Sequence, residues 1–237
     1  MKRILTTLSQ KWPEYLLEIL VITVGILGAF TLNNWNENRK AKIERGSIIQ
    51  NLNTEFRKNQ TEMDRIKTLT EVQYRAGMTL MSVMGANQAS IEKVNPDSLL
   101  YNFIEGNRYI STQYTLQDLS NAGRIQLIAN DELVELIYEW QAAYDQMMEY
   151  FNGVDDKVED DLVPFLTEHY AIKDIDRYGL LEWKSPSKLR HNKLKVFHNI
   201  SFENQVDDLL FRVLSYQWSL EKVEKVQEKI INLTDQL

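Results

Sequence analysis

Residues 15–35 read YLLEILVITVGILGAFTLNNW. From Ile19 to Leu32 this stretch carries no charge, and only Gly25 and Gly28 weaken it as a helix. With Leu16 and Leu17 the apolar run reaches about 17 residues, the short end of what crosses a hydrocarbon core. Trp12 and Tyr15 flank it on one side and Trp35 on the other, where amphipathic rings sit at headgroup level. Lys2, Arg3 and Lys11 form a basic segment ahead of it, as in a signal peptide. Thr31 to Trp35 offers no small-x-small cleavage site, so the reading is an uncleaved anchor over 15–35 behind a short N-terminal segment 1–14. Arg39, Lys40, Lys42 and Arg45 follow the span. Basic residues are therefore nearly balanced across it, and charge alone leaves both orientations open.

The anchor has a face. At about 100° per residue, Glu18, Gly25, Ala29 and Asn36 fall within about 20° of one line, with Ile22 beside it. Gly25 and Ala29 form a small-xxx-small pair, which lets two helices approach closely. Glu18 lies near the headgroup level. It either snorkels there or acts as a partner-pairing or proton-linked carboxylate. Together these residues predict a helix that touches lipid on most sides and protein on one. The expected partners are the bilayer and either a second copy or another membrane protein.

Everything after the anchor, 36–237, reads as one helical domain. The chain is 43% hydrophobic and 26% charged with a net charge of −7, so no basic face for nucleic acid is expected. The absence of cysteine excludes thiol catalysis, disulfides and Cys-ligated metal. Nine Gly and four Pro are too few turn formers for an all-β chain of 237 residues. A long stalk helix is expected over about 36–84. Its seam of Ile49, Leu52, Phe56, Met63 and Ile66 has alternating 4/3 spacing, interrupted by Arg45 and Asn59 and weakened at Gly46 and Gly77.

A loop is expected over Gly85–Asn95. Asn95-Pro96-Asp97 then starts a short helix carrying Leu99, Leu100, Phe103 and Ile104. A helix over Gln113–Ala122 should close at a left-handed Gly123, followed by a short apolar link, Arg124–Ala129. Asn130 should cap a helix to about Phe151, with Leu133, Leu136, Ile137, Trp140, Tyr144, Met147 and Met148 on one face. Gly153 should break it and Pro164 kink or restart it, and Lys173–Lys195 should be the longest loop, with a short helix from about Ser187. Ser201 should cap the last helix, about 202–237, with Val213, Tyr216, Leu220, Val223, Val226, Ile230, Leu233 and Leu237 on one face. The fold class is all-α: one N-terminal transmembrane helix, then an elongated helical bundle with long first and last helices.

No catalytic, cofactor-binding or metal-binding residue is nominated. His169, His191 and His198 are scattered, without a His-x-x-x-His pair. A nucleophile elbow, a phosphate-cradling Gly-Lys-Ser/Thr loop and a dinucleotide fingerprint are all missing. The run Asp155, Asp156, Glu159, Asp160, Asp161 lacks the spacing of a calcium loop and reads as a solvated face. Lys184, Lys188, Arg190, Lys193 and Lys195 are either solvated or aimed at anionic headgroups or an acidic partner. Trp140 and Tyr144 read as core. The expected function is therefore non-enzymatic: a membrane-anchored interaction or scaffold protein. Two alternatives stand beside it, an ion-coupled accessory subunit using Glu18 and a ligand-sensing helical domain.

Two stretches carry a resemblance. One is Glu18-Ile19, Gly25-Ile26, Ala29 and Asn33-Asn34-Trp35-Asn36-Glu37. The other lies within Tyr114–Trp140: Leu119-Ser120-Asn121-Ala122-Gly123-Arg124-Ile125, then Leu127-Ile128-Ala129-Asn130-Asp131-Glu132-Leu133. Together they resemble an uncharacterised bacterial family, a domain-of-unknown-function family of single-pass membrane proteins in which such an anchor precedes a helical region. Thr23, Thr31 and the modest N-terminal basic cluster depart from its pattern. The resemblance implies a bacterial inner membrane, a cytoplasmic N-terminus and a periplasmic C-terminal domain. It implies no activity.

Overall fold

A computed structural model describes residues 2–189 and 192–237, with side chains described from Trp12 onward. Arg190 and His191 lie outside the described residues, as do the side chains of Lys2, Arg3 and Lys11. The described residues contain helices and no strand. The order is α1 (Lys2–Ser82), α2 (Gln88–Lys93), α3 (Pro96–Ile104), α4 (Tyr114–Asn121), a 3-10 turn (Ile125–Ile128), α5 (Asp131–Asp156), a π-helical segment (Lys157–Leu162), α6 (Val163–His169), α7 (Ile172–Asp176), α8 (Lys193–Phe197) and α9 (Ile200–Thr234).

Anchor and stalk are one helix of 81 residues. No residue between Trp35 and Ser82 interrupts it, so its path from Trp35 onward is about 70 Å long. Every side chain from Trp12 to Ser47 is exposed, and the first buried ones are Ile48 and Ile49. The core then follows the expected seam through Leu52, Phe56, Met63 and Ile66. Asn59, read as an interruption, is buried on that seam too. Its amide donates to the Thr112 carbonyl at 2.9 Å, and its Oδ1 accepts the Thr112 N–H at 2.7 Å. A polar seam position here pins the crossing segment 105–113 to α1, which satisfies backbone groups that have no helical partner.

α9 runs antiparallel to α1 and packs along both α1 and α5. Lys67 pairs with Glu224 at 2.5 Å near its middle, and Arg57 with Asp235 at 2.6 Å at its end. Between the three helices lie Phe56, Trp140 and Tyr144, with Trp140 edge-on to Phe56 and stacked on Tyr144. A buried polar layer crosses beside them. Tyr109 donates its hydroxyl to Gln227 at 3.1 Å, and Tyr216 donates to the Asn107 carbonyl at 3.0 Å. Burial raises both tyrosine hydroxyls well above their ordinary range, so they remain neutral donors.

Local signals hold at Asn95, Asn130 and Gly123. Asn130 Oδ1 accepts the Leu133 N–H at 2.8 Å, and Asn95 Oδ1 accepts that of Ser98. Gly123 has φ +63°. The Arg124 N–H reaches the Leu119 carbonyl at 2.8 Å and the Gly123 N–H that of Ser120, which completes a Schellman cap.

Other expectations are corrected. The stretch 85–95 is not all loop, because Asn87 caps α2. The link Arg124–Ala129 contains a 3-10 turn. Gly153 does not break α5. Arg212 of α9 donates to its carbonyl at 3.1 Å, and the missing side chain leaves room for that guanidinium. The helix passes into a π-helical segment ahead of Pro164, whose missing N–H falls in the first turn of α6. At the start of Lys173–Lys195 stands α7, and the short helix expected from about Ser187 begins at Lys193, as α8. Asn199, not Ser201, caps α9: its Oδ1 accepts the Ser201 N–H at 2.8 Å. The helix ends at Thr234, which leaves Leu237 exposed and Leu233 half-buried, while Gln227 and Thr234 take buried positions.

Gly77, expected only as a weak point, is a close contact. A Cβ there would collide with the ring of Phe103 in α3 and with Leu210 in α9.

Candidate docking surfaces

The anchor stretch is long and apolar enough to cross a membrane. The Thr31 hydroxyl fits that role, because it donates back to the Leu27 carbonyl at 2.7 Å and needs no outside partner. Trp12, Tyr15 and Trp35 are exposed at its two ends. Glu18, Ile22, Gly25, Ala29 and Asn36 share one helix and one line along it, and all are exposed. A Cβ at Gly25 would meet nothing. Because α1 is unbroken, this line has a direction relative to the bundle. Counting about 100° per residue, the seam at Leu52, Asn59 and Met63 lies on the opposite side of the helix from Gly25.

The described histidines lie apart from one another. His198 Nε2 lies 2.9 Å from the Ala86 carbonyl, and His169 packs edge-on against Phe165. Among the described residues, no group of His, Asp and Glu is placed to hold a metal ion. Asp155, Asp156, Glu159, Asp160 and Asp161 are exposed. Beside them, Lys157 joins Asp161 at 2.8 Å to Asp208 at 3.0 Å. Burial alone would push the Asp208 carboxyl up, but its bonds to Lys157 and Arg212 hold it below the ordinary carboxylate range. Trp140 is fully buried and Tyr144 half-buried, which makes them core.

The basic stretch divides. Lys193 donates to both oxygens of Asp97, at 2.5 and 2.7 Å, and Tyr170 donates to the same carboxylate. That lysine is structural, tying the start of α8 to α3. Lys184 and Lys188 are exposed and make no ion pair among the described residues. The loop 177–189 that carries Lys184 and Lys188 meets α3, with Tyr178 bonded to Asn95 and Gly179 against Tyr101. It lies near the far end of α1, about 70 Å along the helix from Trp35. Leu180 in the same loop is fully exposed, and Leu181 and Trp183 are largely so.

One surface escaped the sequence reading. α9 has a second stripe, Phe211, Leu214, Ser215 and Trp218, at helical spacing on the side away from Val213 and Tyr216. Phe211 is 66% exposed and Trp218 58%. Tyr150 of α5 stands beside them, and the α5–α9 valley holds two adjoining concavities of about 330 and 460 Å³. The signal was present as aromatic residues at i and i+7. Spacing alone does not say which of two stripes is covered.

Compared with protein-family models, with curated proteins and with solved structures, the chain finds no match.

Proposed function

We propose that the chain is a membrane-anchored, non-enzymatic interaction protein of the bacterial envelope, anchored by 15–35 and carrying a periplasmic bundle. The continuity of α1 carries this reading. An apolar stretch with no intramolecular cover passes, without a joint, into the helix around which the core is built. Contacts made by the anchor are thereby transmitted to the bundle as position and rotation. The face of Glu18, Ile22, Gly25, Ala29 and Asn36 pairs with a second copy or another membrane protein. The resemblance of the anchor motif supports the sidedness.

The test is cysteine crosslinking in native membranes, clean because the chain has no cysteine of its own. Gly25→Cys should give adducts, while Leu27→Cys, on the opposite side of the helix, should not. Adducts at Leu27 without any at Gly25 would refute the pairing face. A topology reporter fused at Leu237 reads the compartment.

A further inference from the structure

We propose that the exposed stalk of α1, residues 36–47, binds anionic phospholipid headgroups through Arg39, Lys40, Lys42 and Arg45. This rests on the reading of 15–35 as a membrane anchor and adds to it the class of lipid that the chain gathers around itself.

The stalk stands apart from the rest of the fold. Every side chain from Asn36 to Ser47 is exposed, and the core begins only at Ile48. Its charge is opposite to that of the chain: four basic residues against two acidic ones, in a protein of net charge −7. Both acids are engaged. Glu37 accepts from the Asn33 amide at 3.0 Å, and Glu44 pairs with Arg124 at 3.4 Å. Arg124 is shared with Asp118 at 3.9 Å, and Asp235, just past the end of α9, is tied to Arg57. Arg39, Lys40, Lys42 and Arg45 make no ion pair or side-chain hydrogen bond among the described residues.

Their height decides what covers them. Trp35 marks the headgroup end of the span. Along the helix, Arg39, Lys40 and Lys42 follow Trp35 by about 6, 8 and 10 Å, and Arg45 by about 15 Å. Any tilt of the helix brings them closer to the surface. Helical side chains lean toward the helix N-terminus, which here is the bilayer side. All four cations therefore reach back toward a headgroup layer about 5–8 Å deep, or into the screening distance of about 8 Å above it.

Their bearing favours lipid over a single protein partner. At about 100° per residue the four cations spread over about 220° of the helix circumference. A partner helix touches one face, whereas a headgroup layer surrounds the stalk. Each basic residue near such a surface strengthens attraction to anionic lipid by about fivefold. Because α1 runs unbroken into the core, headgroups gathered on the stalk also hold the base of the bundle.

The experiment uses the full chain in liposomes of equal phosphatidylglycerol and phosphatidylcholine with matched acyl chains. Ala41→Cys is the sole thiol, since the chain has no cysteine. It carries a benzophenone, and light-driven lipid adducts are read by mass spectrometry. Phosphatidylglycerol adducts should exceed phosphatidylcholine adducts at least about threefold, and about 0.5 M salt should bring the ratio toward one. Arg39→Gln with Lys42→Gln should cut the excess by about half or more, and adding Lys40→Gln and Arg45→Gln should bring the ratio close to one, with helix content unchanged. Lys184→Gln with Lys188→Gln, the same change of charge in the loop 177–189, should leave it as it was. A ratio of one in the parent overturns the inference, as does an excess indifferent to the four stalk substitutions or equally reduced by the loop pair. Lipid adducts at Leu27→Cys with none at Ala41→Cys overturn it too, because the stalk then stands clear of the headgroups. Alkaline carbonate separates this inference from the reading it rests on. A chain stripped from the liposomes removes the anchor and the inference together, while a retained chain with a ratio of one removes the inference alone.

Discussion

Gly77→Ala tests whether the junction of α1, α3 and α9 is as tight as its geometry implies. In an exposed helix the change should stabilise by about 1 kcal/mol, since alanine is the better helix former. At Gly77 the new methyl would occupy space held by the Phe103 ring and by Leu210 Cδ2, and both side chains are buried. Overpacking a well-filled core costs about 1–3 kcal/mol. Two walls converge on the methyl, and neither is the free end of an exposed chain, so the upper part of that range applies. The net expectation is destabilisation by about 1–2 kcal/mol. For a domain near 200 residues that lowers the melting temperature by about 3–6 °C. Circular dichroism at 222 nm on the full chain in detergent, at matched scan rates, reads the difference. Phe103→Leu added to Gly77→Ala should recover part of the loss, because the ring is what the methyl strikes. A melting temperature equal to or above that of the parent would refute the packing argument.

Gly46→Ala should act in the opposite sense, because nothing lies within 4 Å of that position. Amide exchange across 42–47 should slow about fivefold, the factor that about 1 kcal/mol of helix propensity gives; unchanged exchange would show that this part of α1 is not held as a helix. Asn59→Ala should destabilise by about 2 kcal/mol in urea titrations, having removed two hydrogen bonds to Thr112 from a part-buried site. A heptad-repairing gain on Asn59→Leu would contradict the pinning role. The Asp208 carboxyl is held below its ordinary range, so its contribution is present above that range and is lost as pH falls through the folded value. The Lys157 ammonium, lowered by burial but raised more by Asp161 and Asp208, keeps its contribution until pH climbs through a value above the ordinary lysine range. Acid melts of Asp208→Asn should accordingly show a shallower loss of stability than the parent.

What was legible in the chain follows from how far each signal reaches. Caps at Asn95, Asn130 and Gly123 depend on hydrogen bonds within four or five residues, and they were read correctly. The seams of α1, α5 and α9 were legible because one covered face imposes the helical period on residue type. Gly153 was misread because the group that keeps it helical, Arg212, comes from another element. Gly77 was undervalued for the same reason, and Asn59 looked like a defect until Thr112 was seen opposite it.

The candidate surfaces show a different limit. Glu18, Gly25, Ala29 and Asn36 were placed on one line from spacing alone, yet a line on an isolated helix has no bearing in space. The unbroken run to Ser82 supplies one, by setting that line opposite the side of α1 that holds the bundle. Two anchors closing through Gly25 would therefore bring their α1 helices back to back and leave the bundles outermost.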